Sequence, residues 1–180
     1  YLVSGAKLCS ESAHALATSF RRALLGVEKD PVLEKQAYQF SSQFFSDSIG
    51  MYYGAAYFGE EAKKDVVDMV KQIIETYKKR MARNSFLKEA TREKAILKLS
   101  TIEIKMGYPD KIDLFYATLK VDPSLSLFEN AQVLQRKLNQ RNWDKLHKDV
   151  DRSEWGMPGH MVNACYNPSM NDITFPAAIL

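Results

Sequence analysis

The chain has 180 residues, and its 25 Lys and Arg against 22 Asp and Glu leave an excess too small to point to a nucleic-acid partner. With 46% apolar and 26% charged residues it has the composition of a folded domain and not of a disordered segment. No apolar run is long enough to span a membrane, no signal peptide is evident, and Cys9 and Cys165 lie too far apart to form a metal-type pair or a disulfide framework.

Leu16, Phe20, Ala23 and Leu24 predict a helix that stops near Gly26. Asp30-Pro31 then reads as an N-cap followed by proline at the first helical position. The next helix carries Leu33, Ala37, Tyr38, Phe40, Phe44 and Phe45 and runs towards Gly50, and the aromatics Tyr52, Tyr53, Tyr57 and Phe58 that follow are assigned to core packing. Over residues 60–82, Val66, Val70, Ile73, Ile74, Tyr77 and Met81 recur at helical intervals and form one apolar stripe. Glu60 and Glu61 in the first turn and Lys78, Lys79, Arg80 and Arg83 near the end suit the helix dipole, so the basic run reads as a solvated face.

Residues 88–106 predict a further helix with Ala95, Leu99, Ile102 and Met106 on one side, ended by Gly107-Tyr108-Pro109-Asp110. Ser126 and Glu129 have capping-box spacing and start a helix towards Trp143, with Leu127, Val133, Leu134 and Leu138 apolar. After Trp155 the pattern changes. Gly156, Pro158 and Gly159 read as a loop, and His160–Tyr166 and Asp172–Phe175 as two strands around a turn containing Asn167, Pro168, Ser169 and Asn171. The expected fold is mainly α, a multi-helix lobe over 1–155 followed by a short C-terminal β-hairpin within 156–180. The chain opens on Tyr1 and closes on Ala177, Ala178, Ile179 and Leu180, an apolar strand end with no partner in sequence. The expectation is a piece of a longer protein whose sheet continues elsewhere.

The residues alone spell no complete catalytic centre. None of His14, His147 and His160 begins a His-Glu-x-x-His helix or stands at zinc-ligand spacing from another histidine. There is no glycine-rich phosphate loop and no Gly-x-Ser-x-Gly elbow. Cys165 and His160 stand five apart on a predicted strand, so their side chains point to opposite faces, which argues against a thiol dyad.

The stretch Val162-Asn163-Ala164-Cys165-Tyr166-Asn167-Pro168, followed by Asn171-Asp172-Ile173-Thr174-Phe175-Pro176-Ala177-Ala178-Ile179-Leu180, resembles the segment just upstream of the zinc helix in the neprilysin family of metallopeptidases. Tyr57-Phe58, Thr91-Arg92-Glu93-Lys94-Ala95 with Lys98-Leu99, Gly107–Asp110 and Asp151–Trp155 fall in that family's order, and Met157–Val162 is most similar to the bacterial endopeptidase O type. The resemblance implies a zinc-dependent endopeptidase acting on oligopeptides. It implies that Zn2+ belongs to the full-length parent, bound by a His-Glu-x-x-His helix and a glutamate beyond Leu180, with no catalytic or metal residue in this chain. It implies that Asn163 and Ala164 bind substrate, Asn163 through its carboxamide and Ala164 through its carbonyl and small side chain. It further implies that residues 1–155 are part of a helical lobe enclosing a chamber, and that 156–180 begin a catalytic lobe whose remainder is this segment's partner. Phe86-Leu87 stands where many relatives have Trp-Met, and Cys165 where they usually have an aromatic. Disulfide-poor usage favours a cytoplasmic location, with export or the cell surface as the alternative. The competing functional reading is a non-enzymatic helical module that binds peptides or proteins.

Overall fold

The computed structural model describes residues 5–180. Backbone contacts divide the chain into two units, one holding the chain up to Phe45 with Asp113–Asp149, the other Ser46–Ile112 with Val150–Leu180. No described helix is long and apolar enough to cross a membrane.

In the first unit, helix α1 (Glu11–Leu25) starts at Ser10, whose hydroxyl accepts the Ala13 N–H, and stops at Gly26 in the left-handed conformation, as the sequence predicts. Its stripe of Leu16, Phe20 and Leu24 is exposed, while Thr18 is buried. Asp30 does not cap the next helix. Its carboxylate instead accepts from Thr18 Oγ1 at 2.8 Å and Arg22 Nη1 at 2.7 Å, so a stronger charge-assisted partner replaces the cap, and α2 (Leu33–Tyr57) begins beyond Pro31. Helix α5 (Leu127–Trp143) carries the expected capping box. Its Ala131 and Leu134 pack with Phe44 and Leu119 into a small core edged by Phe40, Phe115 and Leu138.

Helix α2 kinks at Phe45, where the backbone leaves helical values at the boundary of the two units. The helix does not end at Gly50 as expected. Gly50 and Gly54 lie inside it because other chain segments press against them: a Cβ on Gly54 would fall 2.1 Å from the Tyr108 ring. Gly59, at φ +81, turns the corner into α3 (Gly59–Ala82). There Ile74 is buried, whereas Ile73 and Tyr77 of the predicted stripe are exposed.

Helix α4 (Glu89–Ser100) is shorter than predicted, and 103–107 is not helical. Strand β1 (Glu103–Gly107) replaces its last turns. Ile104, Lys105 and Met106 alternate across a sheet, and β1 finds a partner far away in sequence, which local periodicity cannot reveal. The hairpin strands are β2 (Cys165–Asn167) and β3 (Asp172–Pro176), and the sheet order is β1-β3-β2, with β1 parallel to β3 and β2 antiparallel to it. The fold is therefore mainly helical with a short C-terminal hairpin, as expected, and the hairpin gains a third strand.

One buried ion pair locks that sheet. Lys105 Nζ lies 2.6 Å from Asp172 Oδ2 and 2.6 Å from the Glu154 carbonyl, with both charged side chains 6% exposed. Lys105→Met leaves the Asp172 carboxylate buried without its cation, and should lower the unfolding free energy by about 3–5 kcal/mol in urea denaturation. The double variant Lys105→Met/Asp172→Leu should lose much less. Equal losses in the two would show that the pair does not act as a unit.

Candidate functional site

The site predicted from sequence, Asn163-Ala164, sits at the end of the 156–164 loop. Two glycines allow that loop to lie where it does. A Cβ on Gly50 would fall 2.4 Å from the Gly159 nitrogen, and one on Gly159 would fall 2.5 Å from the Gly50 carbonyl oxygen. Backbone thus meets backbone between α2 and the loop, and only glycine at both positions permits it. The Gly159 carbonyl then accepts the Ala178 N–H at 3.0 Å, which ties the loop to the chain just after β3.

Beyond Gly159 the chain folds on itself before it extends. The Met161 N–H donates to Pro158 O, and the Asn163 N–H to Met161 O, each at 3.0 Å. These local bonds displace the sheet pairing expected over His160–Tyr166, so β2 starts only at Cys165. Asn163 and Ala164 form its approach and are not strand residues. Asn163 is exposed and Ala164 partly so. Asn163 Oδ1 accepts the Ala164 N–H at 2.8 Å, which fixes the orientation of the carboxamide.

Strand β2 is one of the two outer strands of the sheet among the described residues, and Cys165, Tyr166 and Asn167 are all exposed. Its backbone offers hydrogen-bonding groups on the side away from β3, a template for an added strand. The Tyr166 hydroxyl lies 3.1 Å from Asn171 Oδ1, and Lys98 Nζ lies 5.2 Å from the Tyr166 ring centroid. Asn171 in turn donates to the Lys98 carbonyl and to Thr101 Oγ1, joining the end of α4 to the hairpin turn. Lys98 entered the sequence reading only as part of a helical motif. No local pattern links positions 98 and 166, or 50 and 159, although Pro158-Gly159 was legible as a loop.

His160 stands at the root of the segment. Burial pushes its imidazole below the ordinary histidine value, and the opposing attraction of Asp47 is the weaker influence. His14 lies in the first unit, its Nε2 3.5 Å from Asp30, a carboxylate already engaged by Arg22. Among the described residues no three His, Cys, Asp or Glu side chains are grouped to hold a metal ion. The residues present do not fit a zinc site.

Comparison with known proteins places this geometry. The model of Peptidase family M13 matches residues 2–109. A neutral endopeptidase of Lactobacillus helveticus is 44% identical over 180 residues, covering 100% of this chain and 28% of that protein. The crystal structure of PepO from Lactobacillus rhamnosis is 40% identical with a TM-score of 0.87, over 99% of this chain and 28% of that one. A zinc metalloprotease of Mycobacterium tuberculosis in its open state is 31% identical with a TM-score of 0.83, over 99% of this chain and 27% of that one. The chain thus spans less than a third of the length of these relatives.

His160 generates a pH dependence whose sign is set by its lowered pKa. The unfolded chain takes up a proton near the ordinary value of about 6.5, and the folded chain resists it, so stability falls as the pH drops below that value and is flat above it. In thermal unfolding between about pH 7 and pH 5, His160→Gln should show a shallower acid-side decline than the unsubstituted protein. Parallel declines would remove His160 from the account.

Proposed function

The chain belongs to Peptidase family M13, and on that premise we propose that it binds peptide in extended form along the free edge of β2, with Asn163 and Ala164 as anchors. The observation that supports this reading is the exposed Asn163 carboxamide, held in one orientation at the head of an outer strand. An added strand draws main-chain hydrogen bonds from the edge whatever its sequence. The carboxamide brings both donors and an acceptor to one peptide unit, and the small Ala164 side chain lets the peptide approach.

On this reading the whole protein is a zinc-dependent endopeptidase of oligopeptides. Residues 1–155 belong to a helical lobe that walls a chamber, and 156–180 open the catalytic lobe. The metal, which polarises the scissile carbonyl and activates water when bound, is held by parts of the parent outside the described residues. The task of this segment is to align the peptide. A second reading, a helical peptide- or protein-binding module without chemistry of its own, uses the same edge. It is favoured by the ungrouped ligand-type side chains here. The two part on whether the full-length protein cleaves what it binds.

Asn163→Ala in the full-length protein should lower kcat/KM for an oligopeptide roughly 10- to 100-fold, the loss expected when a peptide unit forfeits one or two hydrogen bonds. Zinc content should be unchanged. An unaltered kcat/KM would overturn the assignment of Asn163, and peptide binding without cleavage by the zinc-loaded parent would favour the second reading.

A further inference from the structure

Residues paired across neighbouring strands share a face of the sheet. Tyr166 pairs with Ile173, which pairs with Ile104, so these three lie on one face, and Cys165, Thr174 and Lys105 lie on the other. On the second of these faces the Lys105–Asp172 pair and Thr174 are buried, and the edge residues Cys165 and Asn167 are exposed. The first is open at its outer margin, where Tyr166 is 42% exposed.

At that margin the Lys98 ammonium lies over the Tyr166 ring. The position is built and not incidental. Asn171 receives the Tyr166 hydroxyl on its oxygen and donates from its nitrogen to the Lys98 carbonyl at 2.9 Å, so the Tyr166 ring and the Lys98 backbone are held by the same side chain. The chain holds a second lysine over a tyrosine, Lys63 over Tyr108, and the contrast is informative. Lys63 is spent, with Nζ on the Tyr108 carbonyl and on Asp110 Oδ1. None of the ion pairs among the described residues includes Lys98.

From this we propose that Lys98 and Tyr166 form a side-chain subsite on the peptide-binding edge, selective for an acidic residue. The inference rests on the reading of β2 as the docking edge. A strand added beside β2 sets one side chain next to Tyr166 on the same face, with Cβ atoms about 5 Å apart. That side chain meets an aromatic wall and, above it, a cation lacking a carboxylate. Glutamate fits both, with its methylenes against the ring and its carboxylate at the ammonium. Lysine at that position faces a like charge. The subsite adds sequence preference to an edge whose main-chain bonds carry none.

The test uses the full-length protein stripped of metal, so that binding is read without hydrolysis. Fluorescent oligopeptides carrying Glu, Gln or Lys at each position in turn are titrated by anisotropy. At one position Glu should bind about three- to five-fold more tightly than Gln, and Lys more weakly than Gln, the range expected of a solvent-exposed charge pair. The preference should shrink in about 0.5 M NaCl. Lys98→Glu should reverse the order at that position, Lys98→Gln should level it, and Tyr166→Phe should keep it. A Glu preference that survives Lys98→Glu, or the absence of any charge preference, overturns the subsite. Asn163→Ala run in parallel separates the two layers: uniform weakening of all peptides supports the docking edge independently of Lys98. No effect of Asn163→Ala on any peptide brings down the edge reading and the subsite with it.

Discussion

The geometry of the sheet beside the candidate site depends on one buried contact, the Lys105–Asp172 pair. Strand β2 directly follows the candidate site and has β3 as its sheet neighbour, and β3 is anchored to β1 through this pair. An apolar pair could supply comparable burial, but it would not read register as sharply. A slip of one residue would turn Lys105 to the opposite face and leave Asp172 buried without its cation. The Glu154 carbonyl accepts a further ammonium hydrogen bond, so the lysine is satisfied only when the strand pairing and the 150–155 segment are both in place. The register fixed in this way is that of β1 against β3, and β2 takes its own from its antiparallel pairing with β3.

A second constraint acts through side chains that are missing. Gly50 and Gly159 let two backbones touch, and Gly54 leaves room for the Tyr108 ring. Gly107, at φ +79, turns the chain at the end of β1, where Lys63 holds the following corner through the Tyr108 carbonyl and Asp110. The loop before Asn163 is thus seated on α2, and the end of β1 on α2 and α3. The placement of the candidate site is set by the helices on which its loop and strand rest.

Much of this was legible in the sequence where the cause is local. The Gly26 stop, the Ser126–Glu129 capping box and the 60–82 helix follow from neighbours within a few positions, and the structure shows each. Three of the misreadings share one origin, a partner outside the local sequence window. Met106 sits at a spacing that continues the α4 pattern, yet it is 1% exposed on a strand, because β3 offers a ladder that no window around residue 106 contains. Asp30 has the form of an N-cap, but Arg22 and Thr18 claim its carboxylate from the preceding helix. Gly50 looks like a helix terminator until Gly159 is brought against it. At the candidate site the motif singles out Asn163 and Ala164 as candidates, while the lysine near Tyr166 depends on tertiary placement.

The hydrogen bond from the Ala164 N–H to Asn163 Oδ1 bears on how such an edge can bind. It could be taken as a site that caps itself and must open. The inventory of the carboxamide says otherwise. One lone pair of the oxygen is used; the second lone pair and both N–H donors remain for a peptide unit. The bond requires the oxygen, and not the nitrogen, to face Ala164, so it selects one of the two amide orientations before any ligand arrives. An exposed asparagine otherwise gives up rotamer freedom on binding, an entropy cost that lowers affinity. Here that freedom is already reduced, because one local bond keeps the side chain in place. On the docking reading Asn163 therefore acts as a preset fixture at the head of the strand, and the main-chain bonds of the edge are made to a peptide whose position it has already defined.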